Sequence, residues 1–247
     1  MKTNKFKIIG EGIVGALTIG VTVLLSPILR AWYRRWGAMP DEVARTLPGD
    51  EFVPHPKSEI TAAITVRAPV QCVWPWFAQL GGQRGGWYSY DLLDNGGAPS
   101  AEKILPEFQN VRVGDMIAAV PNGSFGFPVA IAEHNRVLSL AGTLNTQTGK
   151  PAQPNDPNLK MYFSGDQTFF MEPISDNATR LIFRMRTDWN ATRANNLIYR
   201  GIVEPISFVM GQKMLRNVKG RAEAQLGNIA DMDFAAEELT KAFPVKQ

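Results

Sequence analysis

Apolar and polar positions change rhythm several times along this 247-residue chain, and each rhythm predicts a different element. From Gly12 to Leu29, "GIVGALTIGVTVLLSPIL" runs 18 residues without a charge. As a helix it spans about 27 Å, close to the thickness of a hydrocarbon core. Ile8 and Ile9 lengthen it, and Pro27 falls in its last turn. "EITAAITVRAP" then alternates, with Ile60, Ala62, Ile64 and Val66 on one face of a first strand. Pro69 opens "PVQCVWPWFAQLGG", a short buried helix that Pro75 should kink or restart and that Gly81 and Gly82 end. "RGGWYSYDLLDN" starts a second short helix.

From Val111 the period becomes two. "VRVGDMIAAV", "FPVAIAEHN" and "RVLSLAGT" predict strands, and "DQTFFMEPI" and "TRLIFRMRTDW" flank "SDNA" as a hairpin. In the last of these Leu181, Phe183 and Met185 share one face, while Arg184, Arg186 and Asp188 take the other. The pattern predicts a sheet with one apolar and one wet face. The polar stretch "NTQTGKPAQPNDPNLK" predicts a long mobile loop. Finally "EPISFVMGQKMLRNVKGRAEAQL" places Ile206, Met210, Met214 and Val218 four apart, with Pro205 in the first turn of a long amphipathic helix. The tail "NIADMDFAAEELTKAF" predicts one more short helix.

The order of these elements is an α+β layout: a curved antiparallel sheet wrapped around the long C-terminal helix, with space between them. It divides the chain into a transmembrane anchor with flanks (1–36), a Pro-containing tether (37–57), a folded domain (58–226) and a tail (227–247).

Charge sharpens the N-terminal reading. The net +3 lies entirely in residues 1–50, which hold seven Lys/Arg against four acids; the remainder carries 19 of each sign. No basic surface for nucleic acid is implied. "RAWYRRW" sets Trp32, Tyr33 and Trp36 among Arg30, Arg34 and Arg35, as at a lipid headgroup boundary. A small-residue cleavage site is absent, which favours an uncleaved single-pass anchor over a signal peptide. Lys2, Lys5 and Lys7 balance the three arginines, so charge leaves the membrane side open; the cytoplasmic side is the working assignment. Gly12, Ala16 and Gly20 form a small-residue stripe through which two such helices could form a weak homodimer. The single cysteine, Cys72, lies in an apolar run and reads as a small buried thiol; with His55 and His134 as the only histidines, no metal site and no cofactor are expected.

Four stretches, "ITAAITVRAPVQCVWPWFAQLG", "RGGWYSYDLLDN", "ILPEFQNVRVGD" and "EPISFVMGQKMLRNVKGRAEA", occur in this order across residues 58–226. Together they resemble the START-like SRPBCC superfamily, in its polyketide cyclase/dehydrase-type branch, among bacterial proteins that often carry a hydrophobic segment in front. The resemblance implies a helix-grip fold with a hydrophobic cavity, which in relatives binds lipids, sterols, polyketides or other apolar molecules. It implies no catalytic set, since the superfamily includes enzymes and plain binders.

Two groups are candidates for a ligand site. Arg84, Trp87, Tyr88, Tyr90 and Asp91 predict an aromatic rim at one end of the cavity, with Asp91 capping or pairing locally, for instance with Arg84. The competing reading is that the aromatics only plug that end. Phe169, Met171, Phe183, Met185, Met210 and Met214 predict a pliant apolar lining, against the alternative of a solid core. Catalytic residues are not identifiable. Tyr88, Tyr90, Asp91 and His134 are the acid–base candidates, with His134 reading more simply as a solvated turn residue and Glu172 as an outer-surface one. Nucleophilic-triad, P-loop, dinucleotide and HExxH patterns are absent.

The expectation is therefore a membrane-anchored protein that binds a small hydrophobic molecule or lipid. The alternatives are a cyclase- or dehydratase-like enzyme and an interaction module with a vestigial cavity. A Met/Phe-lined cavity above about 300 Å³ would favour binding. An ionisable group inside it with a strongly shifted pKa would favour the enzyme, and a filled interior the module.

Overall fold

Alternating β-branched and aromatic positions build six antiparallel strands, because each can bury one face against a helix while its backbone pairs with its neighbours. The computed structural model describes the backbone of residues 5–242, except 154, 155 and 157, and side chains up to residue 227. The strands are β1 (Ser58–Val66), β2 (Met116–Ala118), β3 (Gly126–Glu133), β4 (Val137–Asn145), β5 (Tyr162–Ser175) and β6 (Ala178–Trp189). They lie in the order β1-β6-β5-β4-β3-β2. Phe169 pairs with Phe183 across β5 and β6, and their rings stack at 5.2 Å.

The helices are α1 (Lys5–Leu24), α2 (Ser26–Tyr33), α3 (Pro40–Ala44), α4 (Val70–Ala78), α5 (Asp91–Asp94), α6 (Arg193–Ile198) and α7 (Glu204–Ala242). α7 lays Met214, Leu215, Val218 and Ala222 on the inner face of the sheet, in one cluster with Ile60, Phe169, Leu181 and Phe183. This is the expected helix-grip arrangement. α4 closes one end, with Phe77 against Phe169 at 4.7 Å.

Several local expectations change. α4 runs through Pro75 as one helix, because the missing N–H forfeits a single bond, to the carbonyl of the exposed Gln71. The expected strand after Val111 is limited to Met116–Ala118. Before α7, Thr192 caps α6 by accepting from the Asn195 N–H, and a π-helical turn, Tyr199–Val203, follows. Tyr199 stacks on Trp189 and Phe163 at 4.8 and 5.1 Å. α7 continues unbroken to Ala242 where a separate short helix was expected, and residues 243–247 lie outside the described residues. Part of the expected mobile loop, residues 154, 155 and 157, also lies outside them.

The largest correction concerns the outer face of the sheet and the segment expected to be a tether. Residues 37–57 lie across that face as a strap. Arg184 is buried there, donating to Asp50 (2.8 Å), to the carbonyls of Glu42, Val43 and Arg45 (2.7, 3.1 and 2.8 Å) and to Thr61 (3.1 Å). Arg180 grips Glu42 through two bonds of 2.6 and 2.8 Å. Leu47 adds a small second core with Ala63 and Ile182. A row of arginines can face inward when each guanidinium finds carboxylates and carbonyls to donate to, and the strap supplies them. Asp166 is sealed beneath it, accepting from Ser139 (2.5 Å) and Thr168 (3.0 Å), and burial pushes its carboxyl up to about 7.

The N-terminal helices also belong to the fold. α1 lies against α7 and α5, and α2 against α7. Glu204, at the start of α7 and fully buried, accepts from Arg30 (2.8 and 2.9 Å), from the Tyr33 hydroxyl (2.9 Å) and from Ser58. Tyr33 stacks on Phe208 at 5.3 Å, and Trp36 packs on the same ring. Arg34 donates to the Glu59 carbonyl at 2.8 Å. Most of the residues expected at a headgroup boundary are thus spent on the domain itself.

Candidate functional site

The inward alternation of β5 and β6 sends Gln167, Phe183 and Met185 toward α7, and α7 answers with Met210 and Met214. Between them lies a cavity of about 210 Å³. Ile206, Ser207 and Gly211 of α7 and Phe127 of β3 complete its walls, and the loop after β2 contributes Ala119. Trp87, Ser89 and Asp94 close the remaining side. A second space of about 190 Å³ shares Phe127, Gln167, Met185 and Ser207 with the first and extends toward Leu140, Phe163 and Val203. Neither alone reaches about 300 Å³, but they adjoin along these four residues, so the interior is not filled. A larger groove of about 530 Å³ lies outside α7, but Lys7, Glu102, Lys103, Arg216 and Arg221 line it, and it offers no apolar pocket.

Of the residues expected to line a site, Trp87, Phe183, Met185, Met210 and Met214 do so. Phe169 and Met171 do not. Both are buried in the solid core, Phe169 sandwiched between Phe77 and Phe183.

The rest of the expected rim lies outside this cavity. Tyr88 is buried with φ +55, a strained conformation for a bulky residue, and every polar group it has is tied down. Its hydroxyl accepts from Gln79 (2.8 Å), its N–H donates to Ser100 (3.1 Å), and its carbonyl accepts from Asn217 (2.8 Å). Burial pushes its phenol up to about 12. Tyr90 turns its ring toward α1 and Lys213. Arg84 donates to the Ala78 and Phe108 carbonyls (2.7 and 3.2 Å) and lies over the Phe108 ring. No Arg84–Asp91 pair forms. Asp91 instead accepts from the Ser100 N–H (3.0 Å) and hydroxyl (2.6 Å). His134 is exposed in the β3–β4 turn beside Trp74, and Glu172 pairs with Arg45 on the outer surface. Cys72 is buried and free, its thiol pushed up by burial.

Each space has one ionisable residue in its wall: Asp166 in the second and, in the first, Asp94, which sequence reasoning passed over. Asp94 sits beside Ser89, whose hydroxyl donates to the Met210 carbonyl at 3.1 Å. Its Oδ1 is buried without a hydrogen-bond partner, as is Nε1 of Trp87 in the same wall. Burial first, then the nearby Asp91 charge, pushes the Asp94 carboxyl up to about 7. Near neutral pH it exists as both acid and base, so it can donate or accept a proton at the edge of an apolar space.

No protein-family model matches the chain, and no curated protein matches it either. Solved structures similar to it include a hypothetical protein of Helicobacter pylori, at 10% identity and TM-score 0.44, covering 75% of this chain and 99% of that one. The Zhui aromatase/cyclase of Streptomyces sp. R1128 is similar at 13% identity and TM-score 0.32, over 68% and 95%. The di-domain aromatase/cyclase BexL of the BE-7585A biosynthetic pathway is similar at 16% identity and TM-score 0.38, over 67% of this chain and 46% of that one.

Proposed function

We propose that this chain is a START-like binding protein that holds a small, largely apolar molecule between sheet and α7, and that its N-terminal helices attach it to a membrane. The carrying observation is the cavity of about 210 Å³ walled by Phe183, Met185, Met210 and Met214, with a second space beside it. Thioether side chains adapt to varied apolar shapes, and a few polar groups at one side fix orientation. Trp87 Nε1, Ser89 and Asp94 are those groups. α1 is long and apolar enough for a bilayer, with a mean hydropathy of 1.6.

Native mass spectrometry of the full chain from cells tests the reading. A co-purifying apolar molecule is expected, and Met210→Trp, which fills the space, should reduce its occupancy at least about tenfold. Equal occupancy in that variant would place the ligand elsewhere.

Asp94 supports a second reading, an enzyme of cyclase or dehydratase type in which this carboxyl moves the proton. Asp94→Asn keeps the shape but cannot titrate. Under the enzyme reading the variant should retain a molecule of different mass from that on the wild type, because conversion has stopped. Identical masses would leave binding alone.

A further inference from the structure

The buried residues of the first two helices fall on one stripe: Gly12, Gly15, Thr22 and Ser26 are buried, with Glu11 and Ile19 partly so. The spacing is that of a helix seated on a neighbour along its whole length. A side chain at Gly15 would meet the Tyr90 ring 2.7 Å away, and one at Gly12 would meet Leu92. Glu11 pairs with Lys213 of α7 at 3.4 Å. Ile19 and Leu29 pack on the central core. The Arg30–Glu204 pair then fixes the far end.

The opposite stripe is aliphatic and exposed: Ile13 (55%), Leu17 (66%), Val21 (54%), Leu24 (80%) and Ile28 (79%). Lys5 and Lys7 stand at its start and Arg35 at its end. A spanning helix would have to carry its partners into the hydrocarbon with it, including Lys213 and the polar turns of α7. A helix in the interface needs only one apolar face, with basic residues to meet anionic headgroups.

We propose that α1 and α2 do not cross the bilayer but lie in the plane of one leaflet, glycine face on the domain and Leu17 face in lipid. The chain's first residues then stay on the same side as the cavity. The proposal rests on the membrane attachment inferred above and sets its geometry. It also puts Ser89 and Asp94, neighbours of the Tyr90 and Leu92 that seat α1, close to the lipid surface.

The test uses the full chain carrying an epitope ahead of Met1, in sealed vesicles with the folded domain outward. Protease should cut epitope and domain together. An epitope protected while the domain is digested would mean a spanning helix, and one already removed by processing would mean a cleaved leader; either overturns the proposal. In parallel, Leu17→Asp with Leu24→Asp should lower flotation with phosphatidylcholine/phosphatidylglycerol vesicles at least about tenfold, with the melting temperature unchanged. Undiminished flotation also overturns it. A wild-type chain that never floats but forms dimers broken by these substitutions would show a protein–protein face, and membrane attachment itself would fall.

Discussion

Asp94 and Asp166 are both acids whose carboxyls burial pushes up to about 7. In the unfolded chain each titrates near 4. Between about pH 4 and 7 the folded protein therefore binds more protons than the unfolded one, so stability falls as pH rises through that window and levels off above it. The melting temperature should be higher at pH 5 than at pH 8. Asp94→Asn should remove part of that difference, and Asp94→Asn with Asp166→Asn more of it; a calorimetric pH series checks both. A single mutant with the full wild-type slope would mean that its acid ionises as freely as in water. Asp94 illustrates what sequence could show at this scale. "DLLD" places two carboxylates three apart, hence on one side of a turn, but which of them meets the cavity depends on the backbone at Tyr88. Positive φ at a tyrosine has no sequence signature, so Asp91 drew the attention that belonged to its neighbour.

At the scale of elements, the contact between α7 and β6 depends on the absence of a side chain at Gly211, where an added Cβ would stand 2.9 Å from the Phe183 ring. Gly211→Val should push helix and strand apart at the cavity wall. A loss of about 1–3 kcal/mol is expected, or roughly 2–12 °C in Tm. Ligand retention should fall with it; an unchanged melt would mean that α7 does not approach β6 this closely. The stripe of Met210 and Met214 was legible because four-residue spacing leaves a helix one apolar face. The strands were legible where alternation was clean, as in Leu181, Phe183 and Met185. α6 was missed although Thr192 is a favoured N-cap residue, because Pro205 offered a stronger start signal and the π turn before it follows no standard period.

The whole molecule is closed by its N-terminal quarter. Proline and polar residues in 37–57 read as a linker because their partners, Arg180 and Arg184, lie more than 130 residues away and only folding brings them together. Alternation identified the arginine face correctly but not its cover. Two truncations should separate these roles. Removal of residues 1–24 takes away α1 and spares Arg30, so the domain should stay folded and lose membrane attachment. Removal of residues 1–57 leaves Arg184 only Thr61 and Glu204 only Ser58, and uncovers the apolar surface of Ala63, Ile182 and Phe208, so it should yield no cooperative melt. A well-folded product from the longer deletion would show the strap to be dispensable.

The tie between Arg30 and Glu204 spans 174 residues of chain. A ribosome adds about 5–20 residues per second, so the seat for α1 emerges roughly 10–35 s after the helix does. Throughout that interval α1 is an apolar segment with no α7 beside it and no Lys213 to meet Glu11. Whatever meets nascent apolar helices therefore reaches it before its own domain exists. Ribosome-bound chains halted before Glu204 should already sediment with membranes, and those halted beyond residue 226 should add only resistance of the domain to protease. The order of assembly would then be lipid first and fold second, set by the distance along the chain between two residues that finish side by side.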